Sequence, residues 1–171
     1  LPDAVAEAMA AALGEAETLA LGDAMRNRAD VDLRVNPLKG TREALQELLT
    51  RAGFPAERTP FSPVGLRLAE RGPLFQLQAF REGAFEVQDE GSQLIAPLLA
   101  PRRGQTVVDF CAGGGGKTLH LATLMENQGA VHAFDVSAHR LGNLRPRLRR
   151  AGLDNIRTQA IADESDPLLE R

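Results

Sequence analysis

The sequence predicts an α/β chain: a parallel sheet with helical crossovers in its second half, preceded by a small α+β module. Two patterns carry this. Beyond residue 100, apolar runs at 105–109, 130–135 and 155–160 alternate with helical patterns at 116–127 and 137–151, and strands separated by helices imply a parallel sheet with right-handed crossovers. Between residues 30 and 88, short strand patterns instead surround one helix. The length of 171 residues and the 43% hydrophobic content suit an ordinary globular chain of one medium or two small domains.

In order along the chain, residues 3–26 are Ala-rich with Leu13, Leu19 and Leu21 and read as one or two helices. Asp32-Leu-Arg-Val-Asn36 alternates polar and apolar and meets Pro37, the mark of a strand and a turn. Thr41 is a cap for a helix with the stripe Ala44, Leu45, Leu48 and Leu49, stopped at Gly53. Short strands are expected at Ala56–Thr59, Gly65–Ala69 and Phe85–Val87, with Pro60 and Pro63 in loops. Residues 89–100 form a helix that Pro97 kinks or ends, Pro146 should kink or break the helix at 137–151, and Gly152 is its C-cap. A doubly wound sheet normally has more strands than three, so the chain is expected to stop partway through its sheet.

The densest information lies in Asp109-Phe-Cys-Ala-Gly-Gly-Gly-Gly-Lys-Thr118. It joins a strand to a helix start through a loop without β-carbons, which lets a ligand approach the backbone and the free N–H groups of the helix. A phosphate loop needs a glycine five residues before Gly116, where Cys111 stands. A dinucleotide fingerprint fails at Thr118 or Leu119, depending on which glycine begins it. The second strand ends in Asp135, an acid placed to accept hydrogen bonds from ribose hydroxyls. A nucleoside lacking a pyrophosphate fits best, and S-adenosylmethionine is one.

The run Glu86-Val-Gln-Asp-Glu-Gly-Ser-Gln-Leu94, the loop at 109–118, Asp135-Val-Ser-Ala-His-Arg-Leu141 and the upstream Leu33-Arg-Val-Asn-Pro-Leu-Lys39 together resemble the Fmu/Sun-type RNA (cytosine-C5) methyltransferases. The resemblance covers about residues 30–165. It implies an N-terminal helical segment at 1–28, a small α+β RNA-binding module at 29–88, and the first half of a Rossmann-like S-adenosylmethionine-binding domain at 89–171. It implies that Cys111, Ala112, Gly113, Gly114, Gly115, Gly116 and Lys117 surround the methionine part of the cofactor. Asp135 would hold the ribose hydroxyls, Arg140 would lie beside the cofactor, and Asp163 would lie near the adenine amino group. The family loop usually reads Cys-Ala-Ala-Pro-Gly-Gly-Lys; here Gly113 and Gly114 replace Ala and Pro, which frees the backbone and costs ordering on binding. The family's Asp-Ala-Pro-Cys motif and second catalytic cysteine are absent, so the expected role is the N-terminal part of a methyltransferase, inactive alone, acting on ribosomal RNA. A non-catalytic cofactor- or RNA-binding module is the alternative, and a nucleotide hydrolase using Gly116-Lys-Thr118 a third.

Charge and composition set limits. Net charge is −3, so any RNA surface must be local. The five arginines between His139 and Arg150 are either a phosphate-contacting face or a solvated helix with Leu141, Leu144 and Leu148 turned inward; the second is expected. On family grounds Arg34 and Lys39 are better RNA candidates. The one cysteine, Cys111, excludes an internal disulfide and agrees with a cytoplasmic location; it is expected to be a buried small apolar residue rather than a nucleophile. Lys117 is expected to touch the cofactor carboxylate or cap local carbonyls, and Asp109 to orient the loop amides or the cofactor's amino group, or merely to end its strand. His120 and His132 stand apart from other ligands, so no metal is expected. No apolar stretch approaches the roughly 20 residues that span a bilayer, and none of this fixes the oligomeric state.

Overall fold

A computed structural model describes residues 2–170; Leu1 and Arg171, the outer ends of the expected first and last segments, lie outside the described residues. The chain divides after Asp30. The first unit holds α1 (Asp3–Leu13) and α2 (Glu15–Ala24), with the break at Gly14, and neither helix buries a residue. No helix among the described residues is long and apolar enough to cross a membrane.

The second unit, from Val31, contains two sheets. The first is antiparallel in the order β2-β3-β1-β4, built from β1 (Asp32–Val35), β2 (Ala56–Arg58), β3 (Gly65–Leu68) and β4 (Phe85–Val87). Helix α3 (Arg42–Arg51) starts where expected, with the Thr41 hydroxyl accepting from the Ala44 amide, and buries Leu45 and Leu49. These pack with Leu33, Val35, Leu66, Leu68 and Phe85 into one core. A 3₁₀ turn at Leu74–Gln76 and a short α4 (Gln78–Arg81), which no sequence pattern announces, close that core with Leu74 and Ala79.

Helix α5 (Glu90–Leu99), N-capped by Asp89, leads into the second sheet; it contains Pro97 near its end and stops two residues later, before left-handed Ala100. The second sheet is parallel, in the order β5-β6-β7, from β5 (Thr106–Asp109), β6 (Ala130–Asp135) and β7 (Ile156–Ala160). Helices α6 (Gly116–Leu124) and α7 (Ala138–Ala151) cover one face. There Leu119, Ala122, Met125, Val131, Ala133, Leu141 and Leu144 form the second core. Of the kink or break expected at Pro146, the break does not occur: α7 runs on to a left-handed Gly152 cap. The carbonyl that Pro146 leaves without an i+4 donor belongs to Gly142, which has open space around it and no side chain to crowd the ring.

His120 on α6 is 2% exposed. Burial, then the positive charge of Arg34, hold its imidazole well below the usual range, at about 3. The unfolded chain binds this proton below about pH 6.5 and the folded chain does not until about pH 3, so stability rises with pH across that window and is complete above it. Lowering pH from 7 to 5 is therefore expected to cost about 2 kcal/mol in urea unfolding, and His120→Gln to flatten that dependence. A second expectation concerns β5, which pairs only with β6 among the described residues and leaves Val108 half exposed. Such an edge invites pairing. Sedimentation of the 171-residue chain should show self-association that Val108→Lys reduces; a compact monomer with a cooperative melt would show that this edge needs no partner.

Candidate cofactor site

The carboxyl ends of the three parallel strands gather the residues singled out by sequence. Asp109 ends β5, Asp135 ends β6, and Asp163 follows β7. This is the edge at which open α/β sheets bind ligands. The loop between β5 and α6 is held against it from below: the Ala112 amide donates to the Phe134 carbonyl at 2.8 Å and the Gly113 amide to Asp135 Oδ2 at 2.7 Å. The other Asp135 oxygen accepts from the Ser137 amide at 2.8 Å. The Ser137 amide foremost keeps this carboxyl below the usual range; burial opposes it, and the Gly113 amide and Arg140 charge reinforce it. Asp135 is thus a buried carboxylate with one amide on each oxygen and a lone pair left on each.

Gly115 is required where it stands. It caps α6 at φ 83°, and a β-carbon there would sit 2.1 Å from Leu144. Asp109 does more than end its strand: its Oδ2 accepts from the Thr118 hydroxyl at 2.6 Å, tying the strand end to the first turn of α6. Lys117 is exposed and lines a groove with Leu98, Leu99, Val108 and Phe110. Cys111 is exposed rather than buried, because the chain turns outward at the end of β5 and Ala112, not Cys111, packs inward. Arg140 is exposed near Asp135, and Asp163 is exposed with its Oδ1 accepting from the Ser165 amide.

Two arginines with other roles expected of them hold carbonyls of this loop. Arg34 is 4% exposed and donates at 2.6 Å to both Gln88 Oε1 and the Gly116 carbonyl, so it is not a surface RNA contact. Two of the α7 arginines are half-buried and engaged with protein groups rather than turned to solvent. Arg147 donates to Glu86 Oε2 at 2.9 and 3.2 Å and to the Gly114 carbonyl; Arg150 donates to Glu86 Oε1 at 2.5 Å and stacks 4.0 Å over the Phe80 ring. Glu86 itself, 6% exposed, stands directly across from Arg34 in the β1–β4 pair. Desolvation lowers Arg34 to about 10, partly offset by Glu86; it remains charged at neutral pH.

The rest of the 86–94 run is also structural. Asp89 caps α5 through the Ser92 amide, Glu90 accepts from the Phe61 and Ser62 amides, and Gln93 joins the Ser62 hydroxyl to the Gln88 carbonyl. Magnitudes show why the loop needs such help. Ordering four glycines rather than four alanines costs about 2–4 kcal/mol in extra backbone entropy, and two hydrogen bonds from charged donors contribute about 3–6 kcal/mol.

Known proteins fit this architecture. Residues 1–74 match the family model for the ferredoxin-like domain of RsmF/B-like methyltransferases, and residues 96–167 match that for the 16S rRNA methyltransferase RsmB/F. A probable ribosomal RNA small subunit methyltransferase B from Synechocystis is 37% identical over 91% of this chain and 35% of its own length. The ribosomal RNA small subunit methyltransferase B of Pseudomonas syringae is 43% identical over 71% of this chain and 27% of its own. The chain thus spans about a third of the length of the curated relatives it matches. Among solved structures, a methyltransferase homologue from Pyrococcus horikoshii superposes with TM-score 0.78 at 32% identity, covering 90% of this chain and 50% of that one. An NSun6 from the same organism, solved with SFG, superposes at 0.86 but at 22% identity, over 94% of this chain and 65% of that one, and speaks for the fold alone. With a ferredoxin-like sheet joined to a Rossmann-like sheet, and both family models matched in that order, the chain belongs to the RsmB/F family of 16S rRNA methyltransferases.

Proposed function

We propose that this chain binds S-adenosylmethionine at the glycine loop and serves methyl transfer to C5 of cytosine in ribosomal RNA. The observation that carries the reading is the Gly113 amide seated on the buried Asp135 carboxylate, which fixes the loop over an acid with acceptor capacity to spare. The site fits the cofactor chemically: the loop offers backbone without β-carbons, the start of α6 offers amides, and Asp135 stays ionised. Asp135 would accept from the two ribose hydroxyls. Cys111, Ala112 and Gly113–Gly116 would line the methionine part, with Lys117 at its carboxylate; Arg140 would flank the cofactor and Asp163 would take the adenine amino group. When bound, S-adenosylmethionine supplies an electrophilic methyl group.

Methylation at C5 of cytosine needs a thiolate to add at C6, which makes C5 nucleophilic. The one thiol here, Cys111, lies within the cofactor loop, so this chain's part is to hold and orient the methyl donor. That single thiol also supports a second reading, a binding module without catalysis of its own. RNA as the partner and a cytoplasmic location follow from the family relation and are part of the proposal.

Calorimetry with S-adenosylmethionine and, separately, ATP tests the site. Binding of the first and not the second is expected, with Asp135→Ala weakening it by about 1.5–3 kcal/mol. Unchanged affinity in that variant would remove Asp135 from the site. The 171 residues alone should transfer no labelled methyl group to RNA, and Cys111→Ser should alter cofactor affinity at most. Robust transfer by this chain would overturn the division of labour.

A further inference from the structure

We infer that Glu86, Arg147 and Arg34 are positioning residues for the cofactor loop, so that the ferredoxin-like sheet sets the shape of a site it does not line. The inference rests on the reading of the glycine loop as the S-adenosylmethionine site. Two carbonyls of that loop accept from arginines of other elements. Gly114 is held by Arg147 from α7, and Gly116 by Arg34 from β1 at 2.6 Å. Neither arginine stands alone. Glu86 on β4 fixes the guanidinium of Arg147 through Nε and Nη2, while Arg34 is steadied by Gln88 and faces Glu86 across the strand pair.

Charge arithmetic gives the loop its place in the cluster. The guanidiniums of Arg147 and Arg150 bond the Glu86 carboxylate, and a third, the buried Arg34, faces it across the strand pair. Buried cations need further acceptors, and the Gly114 and Gly116 carbonyls supply them. On the opposite side the loop is held by Asp135, through the Gly113 amide. The loop is therefore pinned on both sides, with its amides on the acid that would meet the ribose and its carbonyls on arginines oriented by the other sheet. Four consecutive glycines have little shape of their own, so removing the outer pins frees the loop while leaving every proposed cofactor-contacting group in place.

The test is hydrogen exchange across residues 110–118 without ligand, paired with S-adenosylmethionine titration. Arg147→Met keeps the aliphatic stem on a partly exposed helix flank and leaves Glu86 its bond to Arg150, so the variant is expected to fold. Exchange at the Gly113 and Gly115 amides should rise severalfold, with protection in β1 and β6 unchanged, and cofactor affinity should fall about tenfold or more. Arg147→Lys should recover only part, because an ammonium cannot span the carboxylate and the carbonyl together. Glu86→Gln should act in the same direction. Arg145→Met, which removes an exposed charge from the same helix, should leave both readouts at the wild-type value. Wild-type exchange in Arg147→Met, or an equal effect from Arg145→Met, overturns the inference. If the wild-type chain binds no S-adenosylmethionine, the functional reading fails, and the exchange data still decide whether the loop is pinned.

Discussion

The Glu86 carboxylate is the point on which the two sheets meet. A buried carboxylate is unfavourable unless it is paired and hydrogen-bonded, and breaking such a pair costs about 3–5 kcal/mol. Here it accepts from Arg147 and Arg150 on α7, while Arg34 lies across the strand pair. Asn36 adds a neutral link at the same junction, donating to the Gly83 carbonyl at 3.0 Å and to the Ala151 carbonyl, near the end of α7, at 3.2 Å. The ferredoxin-like sheet therefore has two buried faces. Leu33, Val35 and Phe85 meet α3 and α4 on one; Asp32, Arg34 and Glu86 turn to the other, where Asp32 also holds Arg67 and the Glu90 amide.

That second face explains what the sequence concealed. Strict alternation in Asp32-Leu-Arg-Val-Asn36 is the pattern of a strand with one side in water, yet all four residues of β1 are buried. Charged side chains on a strand announce solvent only when nothing opposite them carries the complementary charge. For Arg34 that charge is Glu86 across the strand pair, and the partners of Glu86 lie 61 and 64 residues further on, in Arg147 and Arg150. A helical arginine run reads the same whether its partners are water, phosphate or a distant glutamate. Only tertiary contact separates those cases, and here it separates Arg147 and Arg150 from the exposed Arg145 and Arg149.

Local signals, by contrast, were legible. The Thr41 cap, the Gly152 stop, the order of strands and helices after residue 100 and the strand-end acids are all encoded within a few residues of where they act. The short 3₁₀ and α4 turns between Leu74 and Arg81 have no such code; their few apolar residues belong to a core whose other members come from β1, β3 and α3. Within the site, sequence singled out the loop and Asp135, whereas the geometry adds how they are joined: an amide-to-carboxylate contact at Gly113 and two carbonyls held from the far side. Cys111 shows the limit of residue-type averages. A free cysteine is most often buried, but at the end of an edge strand leading into an outward loop it is exposed.

Joined through Glu86, the ferredoxin-like and Rossmann-like sheets should unfold as one cooperative body. Native-state hydrogen exchange in rising urea measures this directly, by comparing the opening free energy of the β1 and β3 amides with that of the β6 amides. The two sets should converge on one global unfolding transition with a shared slope. Two separate transitions, with the first sheet opening while β6 and the glycine loop keep full protection, would contradict it.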